Sequence, residues 1–205
     1  MLTLPERPRL LFVLAHGAGA GMQHPFLKST AELLARRSIG TLRYQFPYME
    51  AGRRRPDPPH LLQATVRSAV AAGISLAAGI PVVAGGKSMG GRMASGAAAA
   101  GGLPGLSGLV FLGFPLHPPG RPDTQRSRHL EKVSLPLLFL QGTRDNLADL
   151  NLLRPLCERL GARATLHVVE GADHSFRVLK RSGRTDQAVL EELVGAISAW
   201  CATLL

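Results

Sequence analysis

Aromatic side chains are scarce in this sequence, and so is every signal of nucleic-acid binding. The 205 residues include one Trp, two Tyr and seven Phe, which leaves little surface for stacking on bases. The net charge of +10 comes mainly from arginine, because lysine occurs only four times, at Lys28, Lys87, Lys132 and Lys180. A basic surface can steer acidic substrates. We nevertheless expect no specific nucleic-acid partner.

Cysteine is nearly absent as well, and its positions exclude the usual cysteine chemistry. Cys157 and Cys201 both fall in predicted helices, and neither belongs to a C-x-x-C or other ligand spacing. We interpret them as two buried thiols. The cysteines therefore imply no metal and no disulfide. We also expect no cofactor.

Long hydrophobic runs are also missing. The first apolar run, Leu10–Ala15, is too short for the core of a signal peptide. Residues Ala69–Gly86 approach transmembrane length, but they are rich in Ala and Gly, and Pro81 interrupts them. A helix end followed by a buried strand explains this segment better. We expect a soluble, cytoplasmic protein with no membrane partner, organised as one domain over residues 1–205.

Short apolar runs alternate with helical patterns along the whole chain. Several of the runs are apolar at successive positions, as expected for strands buried on both faces of a parallel sheet. The sequence predicts a mostly parallel six-stranded sheet with helices on both faces and no separate cap domain. The predicted strands are Leu10–Ala15, Ile39–Tyr44, Pro81–Ala84, Leu109–Leu112, Leu137–Leu140 and Thr165–Val169. The predicted helices are Pro25–Arg37, His60–Ala78, Ser88–Ala100, Leu147–Leu160 and Asp186–Leu204.

The most informative motif is Gly86-Lys87-Ser88-Met89-Gly90, a G-x-S-x-G sequence between a predicted strand and a predicted helix. A serine at the tip of such a turn has strained backbone, and side chains two residues before and after it would collide with neighbouring chain. The free N–H of Met89 and the helix dipole then favour negative charge beside the serine. The alternative is a glycine-rich turn whose serine caps the next helix.

Reactive groups in a parallel sheet collect at the carboxyl ends of its strands, and three candidates follow strands. Ser88 follows the third predicted strand, Asp145 the fifth and His174 the sixth. A serine hydroxyl needs a base, and an imidazole oriented by a carboxylate supplies one. These residues are our candidate catalytic triad.

Each member of the triad has an alternative role. Asp145 could be the N-cap of the helix predicted to begin near Leu147. His174 could be a polar loop residue. Asp173 is a rival acid, although its adjacency to His174 in the chain directs the two side chains apart.

The segment His16-Gly17-Ala18-Gly19-Ala20-Gly21 follows the first predicted strand, where a second oxyanion donor is needed. Small residues let the backbone approach an acyl oxygen closely. We assign the second donor of the oxyanion hole, beside Met89, to the N–H of Ala18, with Gly19 as the nearby alternative. A flexible glycine loop is the other interpretation. We interpret His16 as a structural hydrogen-bonding residue rather than a second base.

Together these segments resemble the KAN/TEX-type α/β-hydrolase family, which lies near the dienelactone-hydrolase-like enzymes. The resemblance covers the chain from about Leu10 onward. It rests on the histidine–glycine segment after the first strand, on Phe46-Pro47-Tyr48-Met49-Glu50, on the serine motif through Arg92, and on Gly171-Ala172-Asp173-His174-Ser175-Phe176. It implies a capless α/β-hydrolase sheet with Ser88, Asp145 and His174 as the triad, in the order typical of that fold. Dienelactone hydrolases proper carry Cys where Ser88 stands, so their substrate is not implied.

Three further features lie near the predicted strand ends. Lys87 could attract anions or bond to a neighbouring loop, and His117, in a loop that could line the pocket, is a possible substrate contact. The arginines Arg53, Arg54 and Arg55 could hold a carboxylate or phosphate at the rim, but a solvated loop is the favoured interpretation.

The sequence therefore favours a serine hydrolase acting on a small carboxylic ester, with a thioester or amide as less favoured substrates and an anionic substrate as one possibility. Acyl transfer to an acceptor other than water would use the same residues. The alternative from a different class is a non-catalytic interaction module with a hydrolase fold that binds a protein partner.

Overall fold

The computed structural model describes all 205 residues. Seven strands form one sheet in the order β1-β3-β2-β4-β5-β6-β7, and every neighbouring pair is parallel except β1 with β3. The strands are β1 (Leu2–Thr3), β2 (Leu10–Ala15), β3 (Ile39–Tyr44), β4 (Val82–Lys87), β5 (Leu106–Leu112), β6 (Leu137–Gly142) and β7 (Ala164–Val169).

The prediction of six strands was wrong by one edge strand. Strand β1 has two residues and pairs antiparallel with β3, Leu2 opposite Leu42 and Thr3 opposite Thr41. A two-residue strand has no periodicity of its own, because its conformation depends on the partner strand about 40 residues away. The other six strands are confirmed within a few residues.

The five predicted helices are confirmed, and shorter helical segments join them. The α-helices are α1 (Pro25–Ala35), α2 (Pro47–Glu50), α3 (Pro59–Ala77), α4 (Met89–Ala99), α5 (Leu150–Leu160) and α6 (Asp186–Ala202). Turns of 3-10 helix cover Gln125–Lys132, Gly161–Arg163 and Lys180–Ser182. The run Ala69–Gly86 is the end of α3 followed by β4, as predicted. No helix combines the length and the apolar character that crossing a membrane requires.

The helices cover both faces of the sheet, as the consecutive apolar runs predicted. All six residues of β2 are buried, and they alternate between two cores. Leu11 and Val13 belong to the core that includes residues of α3, α4 and α5, whereas Leu10 and Phe12 belong to the core on the opposite face, with residues of α1 and α6. Burial on both faces explains why these strands lack a polar alternation.

The strand order brings the carboxyl ends of β4, β6 and β7 to the same edge of the sheet. Each of these strands is followed directly by a turn that carries one of the predicted reactive residues. Residues separated by up to 86 positions in the chain therefore meet at this edge.

Candidate active site

Ser88 occupies a strained turn between β4 and α4. Its φ is 51° and its ψ is −115°, a conformation that L-residues rarely adopt. A Cβ at Gly86 would lie 2.2 Å from the Ala15 carbonyl oxygen, and one at Gly90 would lie 2.7 Å from the His16 carbonyl oxygen. Both glycines are therefore required, as the motif predicted, and the turn presents the Ser88 hydroxyl at the edge of the sheet.

A continuous line of hydrogen bonds joins Ser88, His174 and Asp145. His174 Nε2 lies 2.9 Å from Ser88 Oγ, and His174 Nδ1 lies 2.7 Å from Asp145 Oδ2. The Asp145 side chain is fully buried, whereas that of His174 is 22% exposed. An ionised carboxylate only accepts hydrogen bonds, so Nδ1 carries the proton and Nε2 is free to accept from the serine hydroxyl.

Three donors hold the Asp145 carboxylate in place. Besides His174, the side-chain amide of Gln141 donates to Oδ2 at 2.5 Å, and the backbone N–H of Leu147 donates to Oδ1 at 2.8 Å. Asp145 is not a helix N-cap, because α5 begins at Leu150 and Asp149 caps it. We did not predict Gln141 as part of this site. Its signal in the sequence is a single amide at the end of the apolar run of β6, and the structure buries that amide fully.

The rival acid Asp173 is bound within its own loop. Its Oδ1 accepts hydrogen bonds from the N–H groups of Ser175 and Arg177 at 2.8 and 2.9 Å. The carboxylate that meets His174 is therefore that of Asp145.

The backbone N–H groups near Ser88 differ in whether they already donate a hydrogen bond within the chain. Ala18 N–H makes no hydrogen bond within the chain, whereas Gly19 N–H donates to Tyr48 Oη at 3.0 Å. Met89 is the first residue of α4, so its amide has no partner in a preceding helical turn. Of the two loop amides, only that of Ala18 is therefore without a hydrogen-bond partner in the chain. Tyr48, which was not predicted here, is fully buried and anchors this loop.

His16 has the structural role that the sequence favoured. Its Nδ1 donates to the carbonyl of Gly17 at 2.7 Å, and its Nε2 accepts from the N–H of Phe46 at 3.1 Å. Burial lowers the pKa of His16, which agrees with a neutral ring that donates once and accepts once.

Lys87 bonds to the loop that carries the histidine. Its ammonium donates to the backbone carbonyl of His174 at 2.6 Å and lies 5.4 Å from the centre of the Phe176 ring. Burial lowers the pKa of Lys87 to about 8, and the charges of Asp145 and Asp173 oppose that shift. Of the two alternatives for this residue, the loop contact is the one present.

Gly113, which follows β5, makes room for this cluster and was not predicted. Its φ is 71°, and a Cβ at this position would lie 3.1 Å from Lys87 Nζ and 3.5 Å from both Asp145 Oδ2 and His174 Nδ1. A side chain at position 113 would therefore press on three polar groups of the site.

A cavity of about 340 Å³ opens over Ser88. It combines small and apolar residues with the polar groups of Lys87 and His174, and no carboxylate lines it. The lining residues are Gly17, Ala18, Ala20, His24, Phe26, Leu27, Lys87, Ser88, His174 and Ser175.

The structure corrects the proposed role of His117 as a substrate contact. Its exposed fraction is 3%, and both ring nitrogens are occupied. Nδ1 donates to the carbonyl of Pro118, and Nε2 accepts from the N–H of Asp149, each at 2.9 Å. His117 therefore positions the start of α5. Phe114 and Leu116 of the same loop are core residues and do not line the cavity.

Neither Gly19 nor the arginine loop lines this cavity. Arg53 bonds to Asp57 at 2.7 Å, and Arg54 and Arg55 are exposed. The interpretation of a solvated loop is the one that the structure favours.

The two cysteines are buried and unpaired, as predicted. Burial raises the pKa of the Cys157 thiol to about 11 and that of Cys201 to about 12, so both are protonated near neutral pH. No group of three or more His, Cys, Asp or Glu side chains is arranged to hold a metal ion.

Comparison with known families now identifies the class of the protein. A family model described as an alpha/beta hydrolase domain matches residues 8–202, so the chain belongs to that family. The sheet, the strained serine turn and the absence of a cap agree with this membership.

Solved structures of similar fold include serine hydrolases and esterases. A lidless α/β serine hydrolase from Xanthomonas campestris superposes with a TM-score of 0.75 at 20% identity, over 97% of this chain and 87% of that one. A dienelactone hydrolase from Anabaena variabilis gives 0.72 at 20% identity, over 97% and 88%. A cold-adapted esterase from an Arctic intertidal metagenomic library gives 0.60 at 19% identity, over 94% and 82%. Likeness at these identities establishes the shared fold.

Proposed function

We propose that the protein is a serine hydrolase that cleaves small carboxylic esters. The observation that carries this proposal is the hydrogen-bonded line from Ser88 through His174 to Asp145, which begins at a strained turn beside an open cavity. A histidine that binds both a serine hydroxyl and a buried carboxylate is the arrangement that activates a serine nucleophile.

In the proposed reaction, Ser88 Oγ attacks the ester carbonyl carbon while His174 Nε2 takes the hydroxyl proton. The Asp145 carboxylate stabilises the imidazolium that forms. His174 then gives the proton to the leaving alcohol, and the acyl group remains on Ser88. Water attacks the acyl-enzyme with His174 again as base, which releases the carboxylic acid and restores the serine.

The oxyanion of each tetrahedral intermediate would lie between the N–H groups of Met89 and Ala18. Each such donor contributes on the order of 3 kcal/mol to transition-state stabilisation. The uncommitted amide of Ala18 supports this assignment, and the bond between Gly19 and Tyr48 would keep the loop in place.

The cavity favours a small substrate. Its volume of about 340 Å³ is at the lower end of the range for ligand pockets. Lys87 is the one lysine or arginine in its lining, and it is protonated below its pKa of about 8. No carboxylate lines the cavity, so this charge favours neutral or anionic esters over cationic ones near neutral pH. Within the alpha/beta hydrolase family, the four motifs that resemble KAN/TEX-type proteins lead us to propose that the chain lies near that group.

Labelling with a fluorophosphonate probe tests the proposal. We expect the wild-type protein to be labelled, and Ser88→Ala and His174→Ala to remain unlabelled while keeping a native circular-dichroism spectrum. Ser175→Ala is the matched control, because Ser175 is an exposed serine that lines the same cavity. Absence of labelling in folded wild-type protein would reject the hydrolase and favour the interaction module instead.

Lys87 is expected to produce an alkaline limb in the pH profile. The lysine is protonated below its pKa of about 8, so the charged hydrogen bond to the His174 carbonyl is present there and lost as the pH rises. The kcat/KM of the wild type should decline above pH 8. Lys87→Met should lower kcat/KM at pH 7 by roughly 10-fold, the value of one charge-assisted hydrogen bond, and should abolish that inflection.

The matched control for Lys87→Met is Lys180→Met, which removes an exposed lysine and should retain both the rate and the inflection. The comparison is made on stopped-assay rates between pH 6 and pH 10. An inflection that persists in Lys87→Met would assign it to another group.

A further inference from the structure

A second cavity lies on the outer side of α4, away from Ser88. Its volume is about 340 Å³, and it shares no lining residue with the cavity over Ser88. Four polar side chains from three elements converge on it, and we call it the cationic pocket. These are Gln63 of α3, Arg92 of α4, and His129 and Lys132 of the 3-10 helix Gln125–Lys132.

The positive charges of the cationic pocket are not neutralised within the chain. Neither Arg92 nor Lys132 forms an ion pair with a carboxylate within 4.0 Å. Burial, together with the nearby charge of Arg92, lowers the pKa of His129, so we count only the arginine and the lysine as charges. Burial lowers the pKa of Arg92, and repulsion from the nearby charge of Arg126 lowers it further. Like charges held together without a counter-charge are costly, and a bound anion would relieve that cost.

Two of the polar side chains of the pocket also lack hydrogen-bond partners within the chain. The buried Nε of Arg92 has none, and the side-chain amide of Gln63 makes no hydrogen bond in the chain. A buried donor without a partner costs free energy, so such groups mark a place where a ligand can bond.

Contacts within the chain hold the side chains of the cationic pocket in place. Ser95 Oγ donates to the carbonyl of Arg92 at 3.0 Å, so its single proton is used and it accepts from His129 Nε2 at 2.7 Å. This contact fixes the 3-10 helix against α4. The amide of Gln63 lies directly over Gly96, where a Cβ would approach Gln63 Nε2 to 2.6 Å.

We propose that the cationic pocket binds a phosphate monoester. A tetrahedral phosphate accepts hydrogen bonds from several directions, which suits donors on three separate elements, whereas a planar carboxylate is matched by the fork of a single arginine. The volume exceeds that of a bare phosphate, since it equals roughly ten water molecules. Pro59 and Met93 provide apolar walls for the organic group of the ester.

The proposal can be tested by isothermal titration calorimetry with phenyl phosphate. The ionic strength is held constant with sodium chloride. We expect saturable binding to the wild type, and binding of benzoate at least about 10-fold weaker, because its planar carboxylate cannot reach all three elements. Lys132→Met should weaken phenyl phosphate binding by about 10-fold or more, as expected for one charge-assisted contact.

Two further variants keep the test independent of folding and of general charge. Arg128→Met removes one positive charge from the same 3-10 helix, but Arg128 is exposed and does not line the pocket, so binding should change by less than about 2-fold. Gly96→Ala should displace Gln63 and weaken binding while leaving the helix intact, because alanine favours helix over glycine. No binding, equal losses in Lys132→Met and Arg128→Met, or unchanged binding in Gly96→Ala would each overturn the proposal.

Discussion

Ser88→Ala is expected to lower kcat/KM for a short-chain p-nitrophenyl ester by on the order of 10⁶-fold, because it removes the atom that attacks the carbonyl. His174→Ala should cause a loss of similar size. Its Nε2 lies 2.9 Å from Ser88 Oγ, and no other imidazole bonds to that hydroxyl. Without the base, the serine hydroxyl stays protonated near neutral pH.

The double variant separates a catalytic unit from two independent contributions. If Ser88 and His174 act in one proton transfer, Ser88→Ala/His174→Ala should be no slower than either single variant, since either change alone disables the unit. The residual rate should remain above that of the uncatalysed reaction, because the amides of Met89 and Ala18 are unchanged. Losses that multiply in the double variant would contradict the proposed triad.

Asp145→Asn is expected to lower kcat by on the order of 10⁴-fold while leaving the fold intact. The Asp145 carboxylate accepts hydrogen bonds from His174, Gln141 and Leu147. An asparagine offers one acceptor oxygen in place of two, so its NH₂ group must face one of these donors. When it faces His174, the imidazole is held in the tautomer that cannot accept the serine proton.

Asp173→Asn is the matched control for Asp145→Asn. Asp173 is the residue adjacent to His174 in the chain, and the same atom change is made there. Asparagine retains the Oδ1 that accepts from the Ser175 and Arg177 amides, so we expect kcat within about 2-fold of the wild type. Steady-state kinetics on both variants decide between the two acids. A large loss in Asp173→Asn with little in Asp145→Asn would reassign the acid.

The elements that the sequence predicted well are those with a strong local signal. Strand β2 is apolar at all six positions, and the structure places its bounds at Leu10–Ala15, as predicted. The serine turn was predictable because a turn of this kind leaves no space for a side chain at positions 86 and 90, so both must be glycine. The errors of one to three residues at helix ends reflect caps such as Asp149, which shift α5 to begin at Leu150 rather than Leu147.

The residues that were missed have weak local signals, because their roles depend on partners far along the chain. Tyr48 reaches Gly19 across 29 positions, and Gln141 supports an acid whose histidine is 29 positions further on. His117 was interpreted from its place after a strand. Its actual partner is the N–H of Asp149, 32 positions away, and that contact buries the ring.

The sequence by itself determined the alternation of strands and helices, the serine turn and the order of serine, acid and histidine. These features depend on apolar periodicity and backbone sterics, which act over a few residues. Only the tertiary structure decided that Asp145 rather than Asp173 meets His174, that Lys87 bonds to the His174 carbonyl, and that unpaired donors converge beside Arg92. Strand order and helix packing set those contacts. They bring together side chains that are far apart in the chain, so no pattern of neighbouring residues in the sequence predicts the contacts.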